Sequence, residues 1–124
     1  MSPAPPHTYD HYIDGRGATP TSGEYLPTEN PFTGETWAEI ARGDVRDVDR
    51  AVAAARRAFE GGPWPSMSPS ERGRLLWSVG DRIAAGAEQL ARTECRDNGK
   101  IYSEVIAQVK YMGDYFKYLS LIHI

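Results

Sequence analysis

Cys95 is the one thiol in this 124-residue chain, and it stands in the run Arg92-Thr93-Glu94-Cys95-Arg96. Cysteine is a nucleophile once ionised, and cationic neighbours favour that form. No histidine or positioned general base is close to it in sequence, so Cys95 reads as a helix cysteine without a catalytic role. His7 and His11 are four residues apart, a spacing that on a helix could bring both to one metal. Pro3, Pro5 and Pro6 argue against a helix there, and no third ligand is apparent. Gly15-Arg16-Gly17 lacks the third glycine of a dinucleotide fingerprint and does not open a helix. Gly99-Lys100 lacks the glycine five positions earlier that a phosphate loop requires, because that position is Glu94. Glu35, Glu71, Glu88, Glu94 and Glu104 offer no acid/base pair and suit caps and solvated helix faces. The chain therefore yields no catalytic residue and no cofactor-binding residue.

The composition narrows the class without fixing it. Net charge is −3, with 25% charged and 40% apolar residues, and mean hydropathy is −0.53. An acidic balance does not suit nucleic acid or an anionic membrane as a partner. No apolar run approaches the ~18–20 residues of a membrane span. The first residues carry neither a basic nor an apolar region, so no secretory signal is expected, and a single cysteine excludes an internal disulfide. These features point to a soluble, cytoplasmic protein.

The elements that would carry these residues can be read from local signals. Residues 1–8 are expected to be a disordered leader. Tyr9 to Ile13 reads as a strand running into a turn at Asp14-Gly15, and Arg16 to Gly23 as a loop. Asn30-Pro31 and Thr33-Gly34 are turn dipeptides, so Tyr25 to Ala41 is expected to form a β-hairpin. Asp44 is a good N-cap, and Val48, Val52, Ala55 and Phe59 recur on one face of the helix it starts. Gly61-Gly62-Pro63 ends that helix. Ser68-Pro69-Ser70-Glu71 is a capping box with proline at the first helical position. Leu76, Val79 and Ile83, with Leu75 beside them, would supply the buried face. A break at Gly86 precedes a helix over Ala87 to Arg96, stopped at Asn98-Gly99. Val105, Val109, Met112 and Phe116 mark a fourth helix, roughly Ser103 to Tyr118. Trp37, Trp64 and Trp77 read as packing anchors. Asp44, Asp47, Asp49 and Glu60 interleave with Arg46, Arg50, Arg56 and Arg57 as a salted surface. No β-α-β alternation is present, so the parallel sheet of a nucleotide-binding fold is not encoded.

Several motifs stand in a fixed order. They are Asn30-Pro31-Phe32-Thr33-Gly34-Glu35, the helix from Asp44 to Phe59, Gly62-Pro63-Trp64, Ser70-Glu71-Arg72-Gly73-Arg74-Leu75-Leu76 and Asp97-Asn98-Gly99-Lys100. Together they resemble the amino-terminal segment of the NAD(P)-dependent aldehyde dehydrogenase superfamily over roughly residues 9–118. The resemblance implies an α/β parent fold with a Rossmann-type cofactor domain. This fragment would be mainly α: a β-hairpin arm at 9–43, then four helices at 44–118. It implies an enzyme that oxidises an aldehyde to a carboxylic acid with NAD or NADP through a cysteine thiohemiacetal, assembled as a homodimer or homotetramer. The family's nucleophile, general-base glutamate and oxyanion asparagine lie downstream of this segment. The fragment itself is expected to be inactive and to bind no cofactor.

In some relatives an aspartate of the Asp-Asn-Gly-Lys segment and a backbone carbonyl near Asn-Pro help hold a structural monovalent cation. The matching positions are Thr28 and Asp97. Leu119-Ser120-Leu121-Ile122-His123-Ile124 resembles the translation of a sequencing adapter, so 119–124 is expected to be a non-native tail. The alternative to a fragment is a small helical interaction module that binds a full-length dehydrogenase subunit.

Overall fold

Short β-branched and aromatic runs separated by turn residues build the first part of the computed structural model, which describes residues 6–122. The strands are β1 (His7–Tyr9), β2 (His11–Ile13), β3 (Arg16–Ala18), β4 (Tyr25–Glu29) and β5 (Thr36–Ala41). Helices α1 (Val45–Gly61), α2 (Pro69–Ala85), α3 (Ala87–Asn98) and α4 (Tyr102–Leu121) follow. The chain divides into two compact units, Met1–Pro65 and Ser66–Ile124.

In the first unit β4 and β5 form the expected antiparallel hairpin, with a register shift between Thr28 and Glu29. Asn30 holds its turn: its backbone carbonyl accepts from Gly34 N at 2.8 Å and its side chain accepts from Phe32 N at 2.9 Å. The amino-terminal side departs from expectation. Tyr9 to Ile13 is two strands rather than one. β1 pairs parallel with β5, while β2 pairs antiparallel with β3. The turn between β2 and β3 places Asp14 (φ 57) and Gly15 (φ 76) in the left-handed region, which matches the twist of a tight hairpin. Thus Arg16 to Ala18, expected as loop, is paired strand. The expected leader also shortens: His7 and Thr8 belong to β1, and residues 1–5 lie outside the described residues. The β1–β5 pair is parallel but only three residues long, and no helix connects its strands. It is not the βαβ sheet that the sequence excludes.

In the second unit the helices pack on one another through a thin core of Ala87, Ala91, Val105 and Val109, with Ile83, Cys95 and Ile106 partly buried against it. Val105 is the largest fully buried side chain among the described residues. Helix α2 does not meet α4 chiefly through the expected apolar positions. Gly73 and Gly80 are its buried residues, Leu76 and Ile83 are half-buried, and Val79 and Leu75 are exposed. Trp77 is half-exposed, with the Lys117 ammonium 5.5 Å from its ring centroid. Lys117 also bonds Asp81 at 2.8 Å, and that carboxylate holds the ammonium's pKa above its usual value. Helix α4 passes Tyr118 without a break and runs to Leu121, while residues 123 and 124 lie outside the described residues.

The start of α2 is the capping box that the sequence encodes. Ser68 Oγ donates to Glu71 Oε2 at 2.7 Å, Ser68 N donates to the same oxygen at 2.8 Å, and Glu71 N donates back to Ser68 Oγ. The Ser68 hydrogen bonds pull the Glu71 carboxyl below its usual pKa. Ser68→Ala removes the reciprocal bonds and is expected to cost about 1 kcal/mol, measurable as a lower urea midpoint of the helical unit. An unchanged midpoint would mean that the box contributes nothing to stability.

Candidate functional site

The residues singled out for chemistry sit in ordinary structural places. Cys95 lies in the last turns of α3, partly buried against the Ala87–Val109 core, and its carbonyl accepts the capping N–H of Gly99 at 2.9 Å. Packing against alanine and valine is what a structural cysteine does. Gly99 is the left-handed cap of α3, and the Lys100 ammonium is held by Glu94 Oε1 at 2.7 Å. That bond, with the Asn98 amide at 3.3 Å, pulls the Glu94 carboxyl below its usual pKa. The lysine of Gly99-Lys100 is therefore tied to a carboxylate. Gly15 and Gly17 belong to the β2–β3 hairpin and precede no helix. Neither glycine pair opens a helix as a dinucleotide fingerprint or a phosphate loop does.

His7 and His11 are on separate strands rather than one helix. The His7 ring meets Tyr9 edge-on, centroids 4.3 Å apart. His11 Nε2 lies 3.8 Å from Asp47 Oδ2. Among the described residues no group of three or more His, Cys, Asp or Glu side chains is placed to hold a metal. Thr28 is a half-buried residue of β4 in the first unit. Asp97 is exposed near the end of α3 in the second. A carbonyl and a carboxylate are suitable hard donors for a monovalent cation, but two are too few to enclose one.

The most connected polar group is one that the sequence reading passed over. Asp47, expected on a salted surface, is only 3% exposed. Its carboxylate accepts from Thr21 Oγ1 at 2.6 Å, Thr21 N at 3.1 and 3.2 Å, Asp44 N at 3.2 Å and Arg50 Nη1 at 3.1 Å. The Thr21 hydroxyl above all, then the Asp44 and Thr21 amides and the nearby His11, bring its pKa down to about 2. Asp44 and Asp47 close a reciprocal box at the start of α1 and at the same time fasten the Thr21 loop to that helix. The spacing Asp44-x-x-Asp47 carries this signal in a form where the usual glutamate is replaced by a shorter aspartate. The arrangement fixes the angle at which α1 leaves the arm.

A protein-family model described as the aldehyde dehydrogenase family matches residues 18–121. The chain is 43% identical over 109 residues to aldehyde dehydrogenase family 2 member B4, mitochondrial, of Arabidopsis thaliana, covering 87% of this chain and 20% of that one. It is 47% identical over 92 residues to the mitochondrial aldehyde dehydrogenase of Equus caballus, covering 73% and 18%. Among solved structures, the NAD-dependent aldehyde dehydrogenase of Sinorhizobium meliloti superposes with a TM-score of 0.89 at 34% identity. That superposition takes in 93% of this chain and 23% of the other. The chain spans about a fifth of the length of the curated relatives it matches.

Proposed function

Since the chain belongs to the aldehyde dehydrogenase family, we propose that it is the amino-terminal scaffold of an enzyme oxidising an aldehyde to a carboxylic acid with NAD or NADP, and that it performs no chemistry by itself. The observation that carries this reading is the pairing of a family match over residues 18–121 with a lone cysteine packed into a helix core. In such an enzyme NAD(P) takes up the hydride released on oxidation of the aldehyde. What this chain supplies is rigid structure: a strand arm, a helix fastened to it through Asp47, and a helical unit. No helix among the described residues is long and apolar enough to cross a membrane.

The same proposal extends to the parent's assembly as a homodimer or homotetramer. It extends also to a structural monovalent cation that takes a backbone carbonyl of Thr28 and the carboxylate of Asp97, with its remaining oxygens from outside this chain. The donor types support this; what it needs is further ligands. The purified chain, incubated with aliphatic and aromatic aldehydes and either NAD or NADP, is expected to give no rise in absorbance from reduced cofactor. Time-dependent NAD(P)H formation that Cys95→Ala abolishes would overturn the scaffold reading.

A further inference from the structure

Asn98 and Gly99 carry, side by side, an electrophile and the nucleophile that can attack it. An asparagine side-chain amide is chemically labile, and a following glycine puts no Cβ in the way of attack by its own backbone nitrogen. The pair sits at the exposed end of α3, with Asn98 still helical and Gly99 in the left-handed cap at φ 74. The chain's other asparagine, Asn30, precedes Pro31, whose nitrogen has no proton to lose. Three hydrogen bonds hold the Asn98-Gly99 pair unreactive. Gly99 N donates to Cys95 O at 2.9 Å, so the nucleophile is occupied. Asn98 Oδ1 accepts from Lys100 N at 3.0 Å and Asn98 Nδ2 donates to Glu94 Oε1 at 3.3 Å, so the amide is pinned at both ends. Glu94 also accepts from the Lys100 ammonium at 2.7 Å, which makes it the clasp of the whole turn. All these partners lie within the end of one helix and the two residues after it, so fraying of that end frees the pair without unfolding the unit.

We propose that Asn98 is a self-modification site, closed by the α3 cap and opened when that last turn frays. In the open turn Gly99 N forms a bond to Asn98 Cγ, the Cγ–Nδ2 bond breaks, and ammonia leaves with the proton of the Gly99 amide. Water then opens the cyclic imide at either carbonyl, giving aspartate or isoaspartate; no oxidant or reductant takes part. Aspartate presents Glu94 with a second carboxylate in place of a donor. Isoaspartate adds a methylene to the backbone ahead of Gly99 and carries its N–H away from Cys95 O. Both products keep the turn open beside Cys95, which packs on the helical core. The change is therefore one-way and records how often the end of α3 opens.

The test is incubation of the full chain at mildly alkaline pH and physiological temperature, in native buffer and in unfolding urea. Peptide mapping by mass spectrometry follows the amide-to-acid change at Asn98 and separates isoaspartate from aspartate. The native rate is expected to be about tenfold or more below the rate in urea. Glu94→Ala removes the clasp with a good helix former and should raise the native rate about threefold or more while leaving the urea rate unchanged. Glu88→Ala, exposed at the other end of α3, should leave the native rate within about twofold. Glu94→Gln keeps an acceptor for the Asn98 amide but loses the charge that holds Lys100, so its rate should fall between. It carries the test if Glu94→Ala loses its helical far-UV signal. Equal rates in native buffer and urea would overturn the proposal. So would an unmodified Asn98 in urea, or native rates that neither Glu94 substitution changes.

Discussion

Gly80→Leu is expected to remove the cooperative unfolding transition of the helical unit. Helices α2 and α4 run antiparallel with their backbones in close approach at two places one heptad apart. A Cβ on Gly80 would lie 2.6 Å from Gly113 O and 2.9 Å from Lys117 Cγ, and a Cβ on Gly73 would lie 2.8 Å from Ser120 O. Carbonyl oxygens in a helix cannot move aside singly, so a side chain at Gly80 must push the helices apart. Separation would open the contact along which Ile83, Val109 and Ala87 pack. Overpacking of a close contact costs about 1–3 kcal/mol for one or two added carbons. For leucine about 3 kcal/mol or more is expected, a large share of a small domain's margin of ~5–15 kcal/mol. Gly80→Ala should fall between, because alanine regains about 1 kcal/mol of helix propensity against its clash. Ser78→Leu, exposed on the same helix, should shift stability by about 0.5 kcal/mol or less. Urea denaturation followed by Trp77 fluorescence reads all three. Equal midpoints for Gly80→Leu and the unaltered chain would refute close helix approach as the organising contact.

Asp47→Asn is expected to loosen the first unit and to flatten its response to acid. The Asp47 carboxyl has a pKa of about 2 in the folded chain against an ordinary 3.8, so the folded state favours its ionised form. The stability this contributes is fully present above about pH 4 and is lost as pH falls through about 2. Asp44, whose carboxylate accepts from the Arg46 guanidinium at 2.6 Å, is lowered in the same sense and adds to the same acid limb. An asparagine at 47 can still accept from Thr21 but has no charge for Arg50 and His11, and its amide meets Asp44 N–H or Thr21 N–H as donor against donor. The variant should melt several degrees lower at pH 7. Its Tm should then fall less than that of the unaltered chain between pH 5 and pH 2. Parallel Tm-against-pH curves for the two proteins would show that Asp47 is not the group responsible.

The elements themselves were legible because their signals are local. Ser68 and Glu71 are three residues apart and need only each other to start α2. Asn30, Thr33 and Gly34 need only one another to turn the β4–β5 hairpin. Gly99 closes α3 through a bond to Cys95 four residues back. The candidate site was legible in the same limited sense. Cys95 without a base, and glycine pairs without a phosphate-loop spacing, read as structural; the fold packs Cys95 against the α3–α4 core and puts the glycines in a hairpin and a helix cap.

What the sequence could not announce was which surfaces meet. Val48, Val52 and Phe59 share a helix face by spacing, yet they are exposed, because the buried side of α1 is chosen by Asp47 reaching Thr21 across 26 residues. Val79 reads as core and is open, whereas Gly73 and Gly80 read as helix weakeners and are the points of closest approach to α4. Tyr9 and His11, two residues apart, join different sheets because β1 finds an edge on β5, a strand far along the chain. By itself, then, the order of short-range caps, turns and apolar spacings determined the family and nearly every helix of this protein. Only the tertiary structure decided what each helix buries, because burial is set by contacts between residues distant in sequence, and no local pattern contains the surface it will meet.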